Sequence, residues 1–290
     1  AQKSSIYTNN LKEYDRAVSL FKDNQYASAQ FLFEKVKAET QDEEIKSDCA
    51  YYDASCAVRL GHANADVLME SFLENYPTSS KSNQAYVEVA HFYFNEKNYQ
   101  ESLRWFEKVD ESQLSTADRD RFNFQKGYSF FSSKNKKEAT TYFNKVLKSE
   151  VYGSQAKYYL GFMAYEGDNY QEANKYFDAV SGDEKYAEKL SYYQADMNFK
   201  SGNFEKAIEL GQKAMGKSTP AEKSELNKII GESYFNLKKY NEAIPFLVAY
   251  KGKKGRWSNT DYYQLGYAYY KQNDFEKAIA QFNNFVGFYQ

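Results

Sequence analysis

Two positions 12 residues apart recur eight times along this sequence of 290 residues, with small residues at both positions in seven of the eight pairs, and this pattern constrains the fold more than any other feature. Successive pairs begin 34 to 39 residues apart, so the chain is a tandem array of similar units. The second pair is irregular, with Cys56 and Leu68. The other pairs are Ala17 with Ala29, Ala90 with Ser102, Gly127 with Ala139, Gly161 with Ala173, Ala195 with Ala207, Gly231 with Ala243, and Gly266 with Ala278.

Aromatic residues surround the second small residue of most units. In the third unit, Tyr99 lies three positions before Ser102 and Phe106 lies four positions after it. Spacings of three and four residues place side chains on one face of a helix. Short turns rich in Asn, Asp and Gly separate the two small residues of a pair. Each unit is therefore predicted to be two antiparallel helices, A and B, that bury their apolar faces by stacking on neighbouring units.

The composition excludes several other classes of protein. A formal net charge of -2 argues against a dedicated nucleic-acid-binding protein, which usually carries a basic excess. Only 3 Pro and 14 Gly are too few for the frequent tight turns of a β-sandwich or β-barrel. No apolar run approaches the roughly 18 residues that a membrane-spanning helix needs. An aromatic content of 18% argues against disorder.

The pattern resembles the tetratricopeptide repeat, whose unit has about 34 residues. The best local matches are residues 262–269 in a helix A and residues 275–282 in a helix B. The resemblance implies an all-α, right-handed α-solenoid of about eight helical hairpins over residues 10–290, with repeats starting near residues 10, 49, 83, 120, 154, 188, 224 and 259. Residues 1–9 are expected to form a flexible tail. The pattern departs from the family at Leu68, at Gly211, which replaces an aromatic, and at Pro245, which should kink its helix or delay its start.

A second resemblance concerns the location of the protein. The joint at residues 72–79, which contains Tyr76 followed by Pro77, is similar to joints in envelope proteins of Gram-negative bacteria. The richness in Lys, Tyr and Asn is similar to that of such proteins from Bacteroidetes. The chain starts at Ala1 without Met, as after removal of a signal peptide. These features favour a periplasmic or outer-membrane-associated bacterial protein, and a cytosolic regulatory scaffold is the alternative.

The resemblance also implies where a partner binds. In tetratricopeptide repeat proteins the A helices line a concave groove, and residues three before and one after the first small residue point into it. The expected partner-binding residues are Val87, His91, Phe124, Tyr128, Tyr158, Phe162, Tyr192, Asp196, Tyr263 and Tyr267. Because Tyr combines an apolar face with a hydroxyl, this set favours a peptide or helix of a protein partner. A glycan- or peptidoglycan-binding module would use the same tyrosines to stack on sugars.

Residues four positions after the first small residue, such as Phe94, Tyr165 and Phe235, are expected to pack between neighbouring A helices instead. The equivalent groove positions in the other repeats hold Tyr14, Val18, Asp53, Ala57, Lys228 and Glu232.

No catalytic, cofactor or metal site is expected. The two histidines, His62 and His91, lie in separate repeats, so no acid–base pair converges. Cys49 and Cys56 are seven residues apart in one predicted helix, about 10.5 Å and too far for a disulfide, so both should be free. Residues 211–218 match the P-loop string, but a P-loop needs a preceding strand and here the string lies in a helix B.

Two other segments stand out. Residues 251–257 form the most basic run, which could hold an anion or an acidic partner but is more often a solvated loop. The second segment is the end of the last helix B, where Phe285 and Phe288 would be partly exposed to solvent. We therefore expect that the array continues beyond Gln290 or self-associates through this end.

Overall fold

The computed structural model describes residues 2–286, which form sixteen α-helices and one 3₁₀ helix, Glu111–Gln113, with no β-strand. The α-helices are α1 (Gln2–Lys22), α2 (Tyr26–Glu39), α3 (Glu43–Leu60), α4 (Ala65–Asn75), α5 (Ser82–Asn95), α6 (Tyr99–Phe106), α7 (Thr116–Ser132), α8 (Lys136–Lys145), α9 (Gly153–Glu166), α10 (Tyr170–Asp178), α11 (Glu184–Lys200), α12 (Phe204–Met215), α13 (Pro220–Asn236), α14 (Tyr240–Ala249), α15 (Asn259–Lys271) and α16 (Phe275–Val286).

The chain divides into two compact units, Ala1–Gly153 and Ser154–Gln290, each with four hairpins. Odd-numbered helices are the A helices and even-numbered helices are the B helices. The predicted all-α class with eight helical hairpins is confirmed, and each predicted repeat start lies in an A helix. Helix α1 begins at Gln2, so it runs through the predicted tail, whose mobility stays a prediction. The expectation about Phe285 and Phe288 falls outside the described side chains.

Each of the eight A–B turns contains one residue in the left-handed region. These residues are Asn24, Gly61, Lys97, Lys134, Asp168, Gly202, Lys238 and Asn273. The next backbone N–H then donates to a carbonyl in the last turn of helix A, as from Asn135 N to Phe130 O at 2.9 Å. This arrangement satisfies a carbonyl that the helix end leaves free. An Asn side chain caps several B helices, and that of Asn135 accepts from Glu138 N at 3.3 Å. The polar turn residues thus end one helix and begin the next.

The recurrent small residue of helix A makes room for a ring of helix B. A Cβ atom on Gly161 would lie 2.6 Å from Cδ1 of Phe177, and one on Gly127 would lie 3.0 Å from Cδ1 of Phe143. The same relation holds in the last hairpin, where the ring of Phe282 covers Gly266. The predicted close crossing at these three glycines is therefore present. It exists because a ring four residues after the second small residue covers the glycine.

In the sixth hairpin the glycine is on helix B and not on helix A. This arrangement explains the departure from the repeat pattern at Gly211. Helix A carries Ala195, and helix B carries Gly211 where six of the other seven repeats have a ring and the seventh repeat has Leu247. The side chain of Ile230, from the following A helix, approaches Gly211 so closely that a Cβ there would lie 2.9 Å from its Cγ1. The aromatic ring is therefore replaced by an isoleucine from the neighbouring hairpin.

Pro245 does not delay the start of its helix. Helix α14 begins at Tyr240 and contains the proline, so the alternative of a late start is wrong. The irregular second pair also leaves both of its helices, α3 and α4, intact. Among the helices between residues 2 and 286, none combines the length and apolar character needed to cross a lipid bilayer.

A buried polar cluster joins the second and third hairpins. The carboxylate of Glu88 on α5 accepts hydrogen bonds from Tyr51 Oη at 2.8 Å and Ser55 Oγ at 2.7 Å, both on α3. The guanidinium of Arg59 pairs with the same carboxylate at 3.2 Å and lies 4.7 Å from the ring centroid of Phe21. A buried carboxylate is tolerated only when it is paired and hydrogen-bonded. The cluster therefore fixes how these two A helices stack.

Candidate protein-interaction surface

The residues predicted to line a groove lie on α5 and α7 in the first unit, and on α9, α11 and α15 in the second. The spacing of three and four residues places those of one helix on a common face. How much of each side chain is accessible depends on the neighbouring hairpin, and the two units differ in this respect.

In the first unit three of the predicted residues are buried. Val87, His91 and Phe124 expose 1%, 7% and 5% of their surface, so they offer almost none to a partner. His91 Nδ1 contacts Gln125 Oε1 on α7, and burial lowers the pKa of His91 to about 3. Phe124 stacks on Tyr152 with ring centroids 4.9 Å apart. Their expected exposure in a groove is corrected, because side chains from later in the first unit, Gln125 at His91 and Tyr152 at Phe124, pack against this face.

Tyr128, the fourth predicted residue of the first unit, packs between two rings of the preceding hairpin. Its ring centroid lies 5.7 Å from that of Phe94 and 5.4 Å from that of Tyr99, both edge to face. Edge-to-face pairs at these distances are favourable beyond the area that they bury. Tyr128 thus joins two hairpins, and Phe94 packs between neighbouring A helices as predicted.

The second unit repeats this packing. Tyr267 on α15 lies 5.8 Å from Phe235 and 5.7 Å from Tyr240, again edge to face. Tyr263 on the same helix is 46% exposed and stacks on Tyr267 at 5.9 Å. Of these predicted groove residues, Tyr263 is thus the more accessible.

Tyr158 and Phe162 on α9 are half-buried against α11. Tyr158 stacks on Tyr186 at 4.9 Å, and burial raises the pKa of Tyr158 well above its usual value. Phe162 meets Tyr193 edge to face at 5.5 Å. Each ring therefore packs partly against α11 and is partly accessible to a partner.

A true concavity forms between α11, α13 and α15. Its volume is about 470 Å³, and two predicted residues, Tyr192 and Asp196, line it. Lys228 and Glu232, the equivalent positions of the seventh repeat, lie on its α13 side. The remaining lining residues are Phe199, Glu225, Ile229, Tyr250, Lys253, Arg256, Ser258 and Asp261. We call this the A-helix cavity.

Lys228 is the centre of a charge cluster in the A-helix cavity. Its Nζ lies 3.3 Å from Asp261 Oδ1 and 3.9 Å from Glu232 Oε1, and it stands 4.8 Å from the ring centroid of Tyr250. Burial opposes its charge, but Glu232 and Asp261 outweigh that effect and raise the pKa of Lys228. Burial also raises the pKa of Glu232, although Lys228 counteracts it. The cluster presents fixed charges within a partly desolvated site, where they act strongly.

Two further acidic residues line the A-helix cavity, Asp196 on α11 and Glu225 on α13. Burial, together with the charges of Asp196 and Glu225, raises the pKa of Tyr192 to about 12. Asp196 is held in place by Tyr165 Oη at 2.5 Å and by Lys200 Nζ at 2.7 Å. The cavity therefore combines an aromatic surface with oriented charges of both signs.

Family models of the tetratricopeptide repeat match residues 84–115, 120–150, 164–223 and 262–289. The matches span both units and agree with the hairpins described above. The chain belongs to the tetratricopeptide repeat family. It thus has the fold of a protein-interaction scaffold, and proteins of this family are generally not enzymes.

Solved structures agree with this tetratricopeptide repeat assignment. A tetratricopeptide repeat protein from Parabacteroides merdae matches with a TM-score of 0.50 and 13% identity, over 85% of this chain and 93% of its own. MamA from AMB-1 matches with a TM-score of 0.51 and 17% identity, over 61% and 93%. PilF from Pseudomonas aeruginosa matches with a TM-score of 0.50 and 14% identity, over 73% and 92%. At these identities the similarity concerns the fold alone. A search of curated proteins found no match.

The tetratricopeptide repeat pattern did not identify every residue of the cavity. Tyr250 and Arg256 come from the long joint between the last two hairpins, and Asp261 from the first turn of α15. Asp261 had a signal in the sequence, because Ser258 and Asp261 form a capping box in which Asp261 Oδ2 accepts from Ser258 N at 2.7 Å. The repeat pattern could not predict Tyr250 and Arg256, because it describes only positions within the two helices of a hairpin.

Three features of this tetratricopeptide repeat array concern metal binding, cysteine chemistry and phosphate binding. Within residues 2–286, no group of three or more His, Cys, Asp or Glu side chains is placed to hold a metal ion. Cys49 and Cys56 are free and buried, and burial raises the pKa of each thiol to about 12. In the string that matches a P-loop, Gly211 lies inside α12 and Gly216 follows its carboxyl end. Phosphate-binding loops precede a helix instead.

Proposed function

We propose that this protein is a non-enzymatic scaffold that binds a peptide or helical segment of a protein partner in the A-helix cavity. The observation that carries the proposal is the concavity itself, which brings Tyr192 and Asp196 together with the Lys228 charge cluster. Peptide sites on repeat proteins are extended surfaces made by successive repeats. Here three successive A helices contribute to one cavity.

The composition of the cavity suits a protein segment. Tyr192 and Phe199, both partly exposed, supply apolar surface at a low cost in conformational entropy. The charges of Glu232, Asp261 and Lys228 are fixed by their mutual contacts, so they need little reorganisation when a ligand arrives. Fixed charges of both signs select the orientation and sequence of a bound peptide more than they increase its affinity.

Site-specific photo-crosslinking tests this proposal. A photoreactive phenylalanine analogue at Tyr192 should crosslink a polypeptide partner in cells of the source organism. The same analogue at Tyr176, a half-buried tyrosine on the B helix α10, is the control and should not capture that partner. Equal crosslinking at both positions, or none at Tyr192, would refute binding in the A-helix cavity.

Substitutions then test the chemistry with the captured partner. Tyr192→Ala removes an aromatic surface on α11, and Glu225→Lys inverts an acidic charge on the α13 side of the cavity. Each is expected to weaken binding about tenfold, a difference near 1.4 kcal/mol. Tyr176→Ala and Glu150→Lys, the latter at an exposed position in the first unit, make matched changes elsewhere and should leave the affinity unchanged. A partner that binds all four variants equally uses another surface.

Location in the bacterial envelope is the second part of the proposal. It is supported by the similarity of the joint at residues 72–79 to joints of envelope proteins. In the structure this joint follows α4, with Tyr76 N donating to Phe72 O at 2.9 Å and Ser79 N to Tyr76 O at 3.0 Å. Fractionation of source cells should place the protein with periplasmic or outer-membrane markers. Recovery with cytosolic markers would favour a regulatory scaffold, and binding of muropeptides without any polypeptide partner would favour a peptidoglycan-binding module.

A further inference from the structure

The basic run at residues 251–257 folds into a compact turn between α14 and α15. Gly252, Lys254 and Gly255 have positive φ angles of 81°, 53° and 76°, and Lys253 forms an isolated antiparallel bridge with Arg256. A Cβ atom on Gly252 would lie 2.3 Å from the carbonyl oxygen of Arg256, so only glycine fits there. The turn therefore has one defined backbone conformation.

One hydrogen bond closes this turn across its two ends, and a second attaches it to α13. The indole Nε1 of Trp257 donates to the carbonyl oxygen of Tyr250 at 2.8 Å. The backbone N–H of Lys251 donates to Ser224 Oγ on α13 at 2.9 Å. Because both ends are held, the basic side chains of the turn project from a rigid base.

The turn concentrates positive charge that the protein leaves unpaired. Lys251, Lys253, Lys254 and Arg256 are exposed, and none of them forms an ion pair with a side chain that the structure describes. The sequence contains no Asp or Glu at positions 243–260. In a chain with a net charge of -2, such a local excess attracts anionic ligands.

An apolar groove lies directly beside these charges. It has a volume of about 620 Å³ and is lined by Val248, Trp257 and Tyr262, with Lys251 and Arg256 among its other lining residues. Val248 is 48% exposed, and the rings of Trp257 and Tyr262 lie 5.3 Å apart. The groove thus pairs an apolar surface with two cations. We call it the turn groove.

We propose that the turn groove is a second interaction surface, which binds an acidic peptide segment that carries a large apolar side chain. The apolar side chain packs on Val248 and Trp257, where apolar contact area gives most of the affinity. Neighbouring carboxylates of the peptide pair with Lys251 and with the guanidinium of Arg256, which can bind a carboxylate through two hydrogen bonds. Charge complementarity favours this ligand over a neutral or basic apolar peptide.

The turn groove and the A-helix cavity can be tested separately, because some residues line only one of them. Tyr250 and Arg256 line both sites, whereas Val248 and Lys251 line only the turn groove. Variants at Val248 and Lys251 therefore test this proposal without touching the wall at Tyr192. Loss of binding in the turn groove can therefore be distinguished from loss of binding in the A-helix cavity.

The experiment is a fluorescence anisotropy titration of the whole chain with a short labelled peptide in which Asp and Glu surround a central Phe. Lys251→Glu is expected to weaken binding about tenfold and Val248→Ser about fivefold. Lys148→Glu and Val151→Ser make the same changes at exposed positions of the first unit and should have no effect. The affinity should also fall as the salt concentration rises.

Two companion probes decide whether the chemistry is as proposed. A peptide with Ser in place of the central Phe should bind at least about fivefold more weakly, and a peptide with Lys in place of its acidic residues should not bind. Equal binding of the Phe and Ser peptides would overturn the proposal, as would equal binding by the Val248→Ser and Val151→Ser variants. Binding to vesicles rich in phosphatidylglycerol, with no binding to the acidic peptide, would overturn it in favour of a membrane surface.

Discussion

Substitution of Gly161 by Ala tests the physical basis of the hairpins. In the structure a Cβ at this position would lie 2.6 Å from both Cδ1 and Cε1 of Phe177 and 3.2 Å from Cβ of Tyr176. Real Cβ contacts do not occur below about 3.0 Å, so either the ring or the helix must move. The ring of Phe177 is completely buried, which leaves it little room to move.

The net cost follows from two opposing effects. Overpacking of a close-packed core costs about 1–3 kcal/mol, whereas exchange of Gly for Ala within a helix returns at most about 1 kcal/mol. We therefore expect Gly161→Ala to reduce the free energy of unfolding by about 1–2 kcal/mol.

Urea denaturation followed by circular dichroism measures this effect. Gly216→Ala is the matched control in the same unit, because no atom lies within 4 Å of the added Cβ and its φ of −66° suits any residue. The control should be as stable as the parent or slightly more stable. In a repeat array the two units could unfold separately, so the transition assigned to the second unit is the one to compare.

A double variant identifies the clash itself as the cause. Phe177→Leu alone should destabilise the protein by leaving a space in the core, but it should also remove much of the penalty of Gly161→Ala. We expect a favourable coupling of about 1 kcal/mol between the two changes. Overpacking against Phe177 is refuted if Gly161→Ala is as stable as the parent, or if the two effects simply add.

Three further predictions use the same denaturation assay. Lys134→Gly relieves a left-handed backbone at an exposed turn and should stabilise the protein by about 0.5 kcal/mol, and a loss of stability would contradict the strain argument. Arg59→Met leaves the buried carboxylate of Glu88 without its cation and should cost about 3 kcal/mol, and a neutral result would show that the pair contributes nothing. The folded pKa of His91, about 3, lies below its unfolded value of about 6.5, so its contribution is complete above pH 6.5 and decreases at lower pH by up to about 1.4 kcal/mol per pH unit. His91→Gln should flatten that dependence between pH 6.5 and pH 4, and an unchanged slope would refute it.

The positions of the hairpins could be predicted from the sequence because they depend on local spacing. Gly127, Gly161 and Gly266 recur in phase with the rings of Phe143, Phe177 and Phe282, and the structure places each ring against its glycine. Helix geometry fixes which residues share a face, and turn residues such as Asn135 end one helix and cap the next. These relations are short-range, and they recur along the array.

Accessibility along the A-helix face could not be predicted in the same way. Val87, His91 and Phe124 occupy the positions that resemble groove residues, yet they are buried, whereas Tyr263 is half-exposed at the corresponding position. The burial of His91 and Phe124 depends on side chains from later in the chain that pack against them. That packing involves residues about a repeat away in the chain, such as Gln125 beside His91.

The number of hairpins, their register and the family could be predicted from the amino-acid sequence, since each rests on spacing within a repeat. The positions of the concave sites depend on tertiary packing instead. The A-helix cavity needs Lys228 beside Asp261, and the turn groove needs Trp257 beside Tyr262 with the basic turn held over α13. These contacts join different hairpins or an irregular joint, where no repeat period constrains the chain and packing alone sets the geometry.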